Sequence, residues 1–120
     1  MMDLQLQKAL FDLFQSHLKF PFYDGLRDEG YPYGAFSYTE DNALNTKTTR
    51  GNKIFYQIDL FSDYNGQKEV KEMAQEVMTL LNGDIDLENG RVAYVSEYIK
   101  RIQREDAIYH GIMELTFEIY

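Results

Sequence analysis

The 120-residue sequence contains no cysteine, which removes three options at once: a disulfide framework, a thiol nucleophile, and a zinc site built on sulfur. Positive charge is scarce, with twelve Lys and Arg against twenty Asp and Glu and a net charge of −8. A surface of that sign repels nucleic acid backbones and anionic membranes at ordinary salt. Two readings of the acidic surplus stay open: a well-solvated surface, or an acidic face that meets a basic partner or stays slippery toward DNA. Uninterrupted apolar stretches run to only a few residues, far short of the roughly 20 that a membrane-spanning helix needs. The opening Met1-Met2-Asp3-Leu4-Gln5 lacks a basic segment followed by an apolar run, so no signal peptide is expected.

Ten tyrosines, eight phenylalanines and 44% apolar residues supply enough buriable surface to offset the entropy of ordering one domain over residues 1–120. Residues 3–19 read as an amphipathic helix, with Asp3 as N-cap and Leu6, Ala9, Leu10, Leu13, Phe14, His17 and Leu18 at three- and four-residue steps. Pro21 ends it. Residues 20–25 make a turn or short extended link, and Tyr31–Tyr38 reads as an aromatic strand opened by Pro32. From Thr39 to Asn52 the chain turns polar, which predicts a long loop or a mobile hairpin.

The clearest strand is 53–62, where Ile54, Tyr56, Ile58 and Leu60 share one face while Gln57 and Asp59 take the other. The clearest helix is 67–82, with Asn65 as N-cap, an apolar stripe of Val70, Met73, Ala74, Val77, Met78 and Leu81, and Asn82-Gly83 as its stop. Residues 91–103 form a long strand whose imperfect alternation predicts a bulge or a twisted edge. Arg104-Glu105-Asp106 turns the chain into a last strand, 107–120, in which Tyr109, Met113, Leu115, Phe117 and Ile119 oppose His110, Glu114, Thr116 and Glu118. The expected architecture is α+β in the order α-β-β-α-β-β: two layers, a four-stranded and mostly antiparallel sheet, and both helices packed on one face.

Chemistry-bearing motifs are sparse. Asp84, Asp86, Glu88 and Gly90 imitate a calcium loop, but the glycine comes one position late, no bidentate glutamate follows, and a strand stands where a helix should. A solvated helix-to-strand turn is the reading. His17 lies on the apolar side of the first helix and is expected to be partly buried. His110 precedes Gly111 on the polar face of the last strand, without a metal-ligand spacing to His17. The glycines form no dinucleotide fingerprint or phosphate loop, and Ser16, Ser37, Ser62 and Ser96 have no nucleophile-elbow context. No catalytic residue, metal ligand or cofactor is expected.

Several segments together carry a family likeness. They are Tyr31-Pro32-Tyr33-Gly34, Asn45-Thr46-Lys47-Thr48 with Gly51, the strand Ile54–Phe61, and Ser62-Asp63-Tyr64-Asn65-Gly66-Gln67-Lys68-Glu69-Val70-Lys71-Glu72-Met73-Ala74. With Asp106-Ala107-Ile108-Tyr109-His110-Gly111 before the final strand, this order resembles the tail-completion (tail-terminator, head–tail joining) proteins of long-tailed bacteriophages. Many members carry a tryptophan just before the second helix, where this chain, which has none, places Phe61; an aromatic plug is kept.

The resemblance implies a non-enzymatic virion part made in the host bacterial cytoplasm. It implies a ring, as a hexamer, of self-associated copies between the tail tube protein and the head connector protein. DNA passes through without tight binding, and no membrane is involved. Thr46, Lys47, Thr48 and Arg50, among the few basic and polar positions outside the core stripes, are the expected assembly contacts. The alternative is a small prophage-encoded acidic binding or inhibitor protein that mimics nucleic acid. An enzyme whose site leaves no motif is a third reading.

Overall fold

The computed structural model describes residues 2–25, 30–36, 49–50, 53–87 and 90–119. Among these residues two helices, α1 (Met2–His17) and α2 (Lys68–Leu80), accompany seven strands: β1 (Phe22–Tyr23), β2 (Tyr33–Phe36), β3 (Thr49–Arg50), β4 (Lys53–Ser62), β5 (Ile85–Asp86), β6 (Val92–Glu105) and β7 (Ile108–Ile119). They form one sheet in the order β1-β2-β4-β7-β6-β5, with β3 pairing the end of β4. The long pairings are antiparallel, while β1 runs parallel to β2. The α+β class and the two helices stand as expected. The four-stranded description does not, because the three two-residue strands are too short to show an apolar period and one of them makes the sheet mixed.

One face of the sheet carries the core. Ile54, Tyr56, Ile58 and Leu60 of β4 and Met113, Leu115, Phe117 and Ile119 of β7 are buried in one cluster. Leu6, Leu10 and Phe14 of α1 and Val70, Met73, Ala74 and Val77 of α2 belong to the same cluster, so both helices cover this face. The i, i+4, i+8 spacing of the three α1 residues places them on one helical stripe. Each large side chain buried here contributes roughly 1.5–3 kcal/mol.

Local signals decide the boundaries. Gln67, not Asn65, caps α2 and makes no side-chain cap bond. Instead Ser62 Oγ donates to Glu69 Oε1 at 2.6 Å and accepts from the Tyr64 amide at 3.1 Å, tying the end of β4 to the first turn of α2. Gly83, at φ +101°, takes the left-handed conformation that stops the helix. The expected irregularity in β6 is a register shift between Val95 and Glu97. The hairpin turns at Asp106-Ala107, later than the 104–106 expected, because Asp106 supplies the positive φ of 57°. Within 39–52, Thr49–Arg50 forms β3, and 39–48 and 51–52 lie outside the described residues.

Gly34 of β2 lets this face close. A Cβ there would lie 2.9 Å from Leu60 Cδ2, 3.0 Å from Phe20 Cε2 and 3.1 Å from Phe22 Cδ2. Gly34→Ala is therefore expected to cost about 1–3 kcal/mol through overpacking. Gly25→Ala, where a Cβ meets nothing within 4 Å, should be neutral or slightly stabilising. Urea midpoints of the two variants check this; equal midpoints would show that the packing around Gly34 yields freely.

Candidate functional site: a clasped histidine and an exposed hairpin

Alternation sends the other side chains of β2, β4 and β7 to the face opposite the helices. There Tyr31 stacks on Tyr33 (centroids 5.7 Å), Tyr33 on Phe61 (4.9 Å) and Phe61 on the His110 ring (4.4 Å). This row crosses the sheet because Tyr33 pairs with Phe61 and Phe61 with His110 in the strand register. Tyr33, Ala35 and Asp59 are each 2% exposed or less, so this side of the sheet is sheltered as well.

His110 ends the row between two carboxylates. Its Nε2 lies 3.3 Å from Asp59 Oδ1, an ion-pair distance that misses good hydrogen-bond geometry. Its Nδ1 lies 3.0 Å from Glu105 Oε2. Gln57 Nε2 donates to Asp59 Oδ1 at 3.1 Å, and Gln103 Nε2 to Glu105 Oε2 at 2.8 Å. Burial of the imidazole favours its neutral form, but Asp59 and Glu105 together outweigh that, so His110 titrates above its ordinary 6.5. The bond from His110, followed by that from Gln103, holds the Glu105 carboxyl below its usual value. The arrangement is a charge clasp joining β4, β7 and β6.

Asp59 and Glu105 are the described carboxylates on the His110 ring. Ser62 is committed to Glu69 and Tyr64, and Ser96 Oγ donates to the Thr116 carbonyl at 3.4 Å. Among the described residues, no group of His, Asp and Glu is arranged to hold a metal ion. His17 is exposed rather than partly buried; its Nδ1 lies 3.1 Å from the Leu13 carbonyl in the last turn of α1. That position places the ring on a carbonyl at the helix end, so His17 leaves the apolar stripe while Leu18 still packs against the core. In the acidic link, Ile85 and Asp86 pair with Ala93 and Val92 of β6, and Gly90 turns the chain at φ +82°.

In the β6–β7 hairpin the distal part of β6 is largely exposed. β7 pairs with β6 from Ala93 to Glu105, whereas β5 pairs only with Val92 and Ala93. Beyond the bulge, no strand among the described residues lies on the outer side of β6. That edge carries Tyr98 at 52% and Ile99 at 58% exposure, two of the three exposed large hydrophobics described. A groove of about 850 Å³, lined by Met78, Leu81, Asn82, Val95 and Tyr98 among others, separates it from α2. Of the expected contact residues, Arg50 lies in β3 opposite Lys53, and Thr46, Lys47 and Thr48 lie outside the described residues.

Sequence reasoning placed Asp59 and His110 on polar faces but could not join them, because their meeting depends on the β4–β7 register. The usable signal was parity: both residues oppose the apolar stripe on strands that turn out to be neighbours.

Comparison with solved structures finds this fold elsewhere. The bacteriophage SPP1 gp17 protein superposes with a TM-score of 0.74 at 17% identity, over 99% of this chain and 91% of that one. A chain from the virion of the native gene transfer agent particle gives 0.65 at 20% identity, over 96% and 94%. At such identities the likeness establishes the fold. No curated protein matches the sequence. Residues 15–119, which run from the end of α1 through the last strand, match the family described as Tail completion protein gp17. The chain belongs to that family of bacteriophage virion structural proteins.

Proposed function

We propose that this protein completes the phage tail by forming a ring on the end of the tail tube and offering the head connector its docking surface. The match to the tail completion family over residues 15–119 carries the reading. The net charge of −8 is compatible with it, since a passage lined by acidic groups lets DNA through, whereas a basic lining would hold the phosphates. The assembled form is a hexamer of this chain, in contact with the tail tube protein on one side and the head connector protein on the other. Thr46, Lys47, Thr48 and Arg50 add cationic and polar contacts toward a neighbour's acidic surface. The protein is made in the host bacterial cytoplasm and ends in the virion at the head–tail interface.

Deleting the gene is expected to leave DNA-filled heads beside unjoined tails of uncontrolled length, counted by electron microscopy of lysates. Normal, joined virions from the deletion would refute the proposal.

A further inference from the structure

The sheet ends in two unlike surfaces. At the β6 end, the segment 91–105 holds four of the chain's twelve basic residues against two acidic ones, in a protein that is otherwise strongly acidic. Lys100, Arg101 and Arg104 are exposed there beside Tyr98 and Ile99. Arg101 pairs with Glu114 at 2.9 Å, and both partners are about half in solvent. A neighbour could draw on that cation with little loss. The outward backbone of β6 beyond the bulge has no partner strand among the described residues, and an open edge with exposed apolar side chains is a surface that native proteins normally cover.

At the other end, beside β1 and β2, Glu69, Glu72 and Glu76 of α2 line a shallow groove with Lys19, Phe20 and Pro32. The i, i+3, i+7 spacing puts the three carboxylates on one side of the helix. Glu72 is exposed, while Glu76 accepts the Lys19 amide at 2.6 Å and Glu69 the Ser62 hydroxyl. A basic, apolar-tipped edge at one end and an acidic groove at the other are complementary to each other and not to themselves. Contacts of that kind are head-to-tail, and head-to-tail contacts are the ones that close into rings.

We infer that the outer edge of β6, from Glu97 to Arg104, docks against the Glu69/Glu72/Glu76 face of the next copy of this chain. The carboxylates meet Lys100, Arg104 and the open backbone N–H groups of the edge. Tyr98, which shares a side of β6 with Lys100 and Arg104 in the strand register, covers the Phe20 and Pro32 lining of that groove. This deepens the ring reading above by naming its two surfaces, and it rests on that reading.

The absence of cysteine makes the test clean. Tyr98→Cys and Glu72→Cys are introduced singly and together into the full chain, checked for unchanged thermal unfolding, assembled into tails, and treated with a flexible bis-maleimide. The double variant should give a ladder of chain multiples, and each single variant only the monomer. A dimer from Tyr98→Cys alone would show β6 pairing with β6, and a cross-link to a tail tube or head protein would show a different partner. Either result overturns the inference, as does a double variant present in tails that yields no ladder.

Charge reversal supplies a second readout. Lys100→Glu or Glu72→Lys alone should cut the yield of joined virions at least about tenfold, and the two combined should restore most of it. Harmless single reversals, or a combination no better than the worse single, would overturn the inference. If immunoblots find no chain in tails at all, the tail-completion reading itself has failed, and the two failures are told apart.

Discussion

Phe14→Ala is expected to destabilise the protein by about 3–5 kcal/mol, as large-to-small changes of a fully buried ring do. Phe14 is 0% exposed and sits where α1 meets the sheet, with its ring 4.8 Å from that of Phe22 and 6.4 Å from that of Phe36. Phe22 in turn meets Phe36 edge-on at 5.1 Å, so removing one ring opens the centre of a cluster. The neighbours are fixed by β1 and β2 pairing and cannot collapse into the space. For a chain of this size, whose whole stability is on the order of 5–15 kcal/mol, the loss is a large fraction of the total. Thermal or urea unfolding measures it. Tyr64→Ala, at a side chain 49% exposed, should move stability by no more than about 0.5 kcal/mol. A loss below about 1 kcal/mol for Phe14→Ala would mean that α1 is not part of the cooperative core.

The same cluster shows what periodicity could and could not reveal. The stripes of α1, β4, α2 and β7 were legible because each repeats over two or more turns or alternations, and all of them land in one core. β4 spans Lys53–Ser62, as its alternation indicates. β1, β3 and β5 are two residues each, and two residues have no period to read. Asp59 illustrates the other limit. Its place between Ile58 and Leu60 puts it on the polar face of β4, and it is nonetheless 2% exposed, because the second face of the sheet is sheltered by its own row of rings. A face can be polar in pattern and still be dry when its charges are paired. The hairpin edge was half legible: the bulge could be expected from broken alternation, but that nothing described covers the outer side of β6 follows only from strand order.

Pairing is what makes His110 the second position of large effect. His110→Ala should cost about 3 kcal/mol, the lower end of the range for breaking a buried ion pair, since the imidazole side chain keeps 13% exposure. The substitution leaves the Asp59 carboxylate, 3% exposed, with the Gln57 amide as its described hydrogen-bond partner. It also removes the ring stacked on Phe61. Replacing both partners, as Asp59→Leu with His110→Phe, should recover most of the loss, because no buried charge is then stranded.

The pH dependence separates charge from packing. His110 titrates above 6.5 in the folded protein, so its contribution is fully present below about 6.5 and fades as pH rises through the raised value. Glu105, held below 4.5, works in the opposite sense: its contribution is present above 4.5 and is lost as pH falls through the lowered value. Its half-exposed side chain keeps that part small. The clasp should therefore be strongest between these limits. The stability gap between wild type and His110→Ala, read from urea midpoints, should narrow on the alkaline side. A gap that stays constant as pH rises would show that His110 acts there through ring packing alone, with the carboxylates as bystanders.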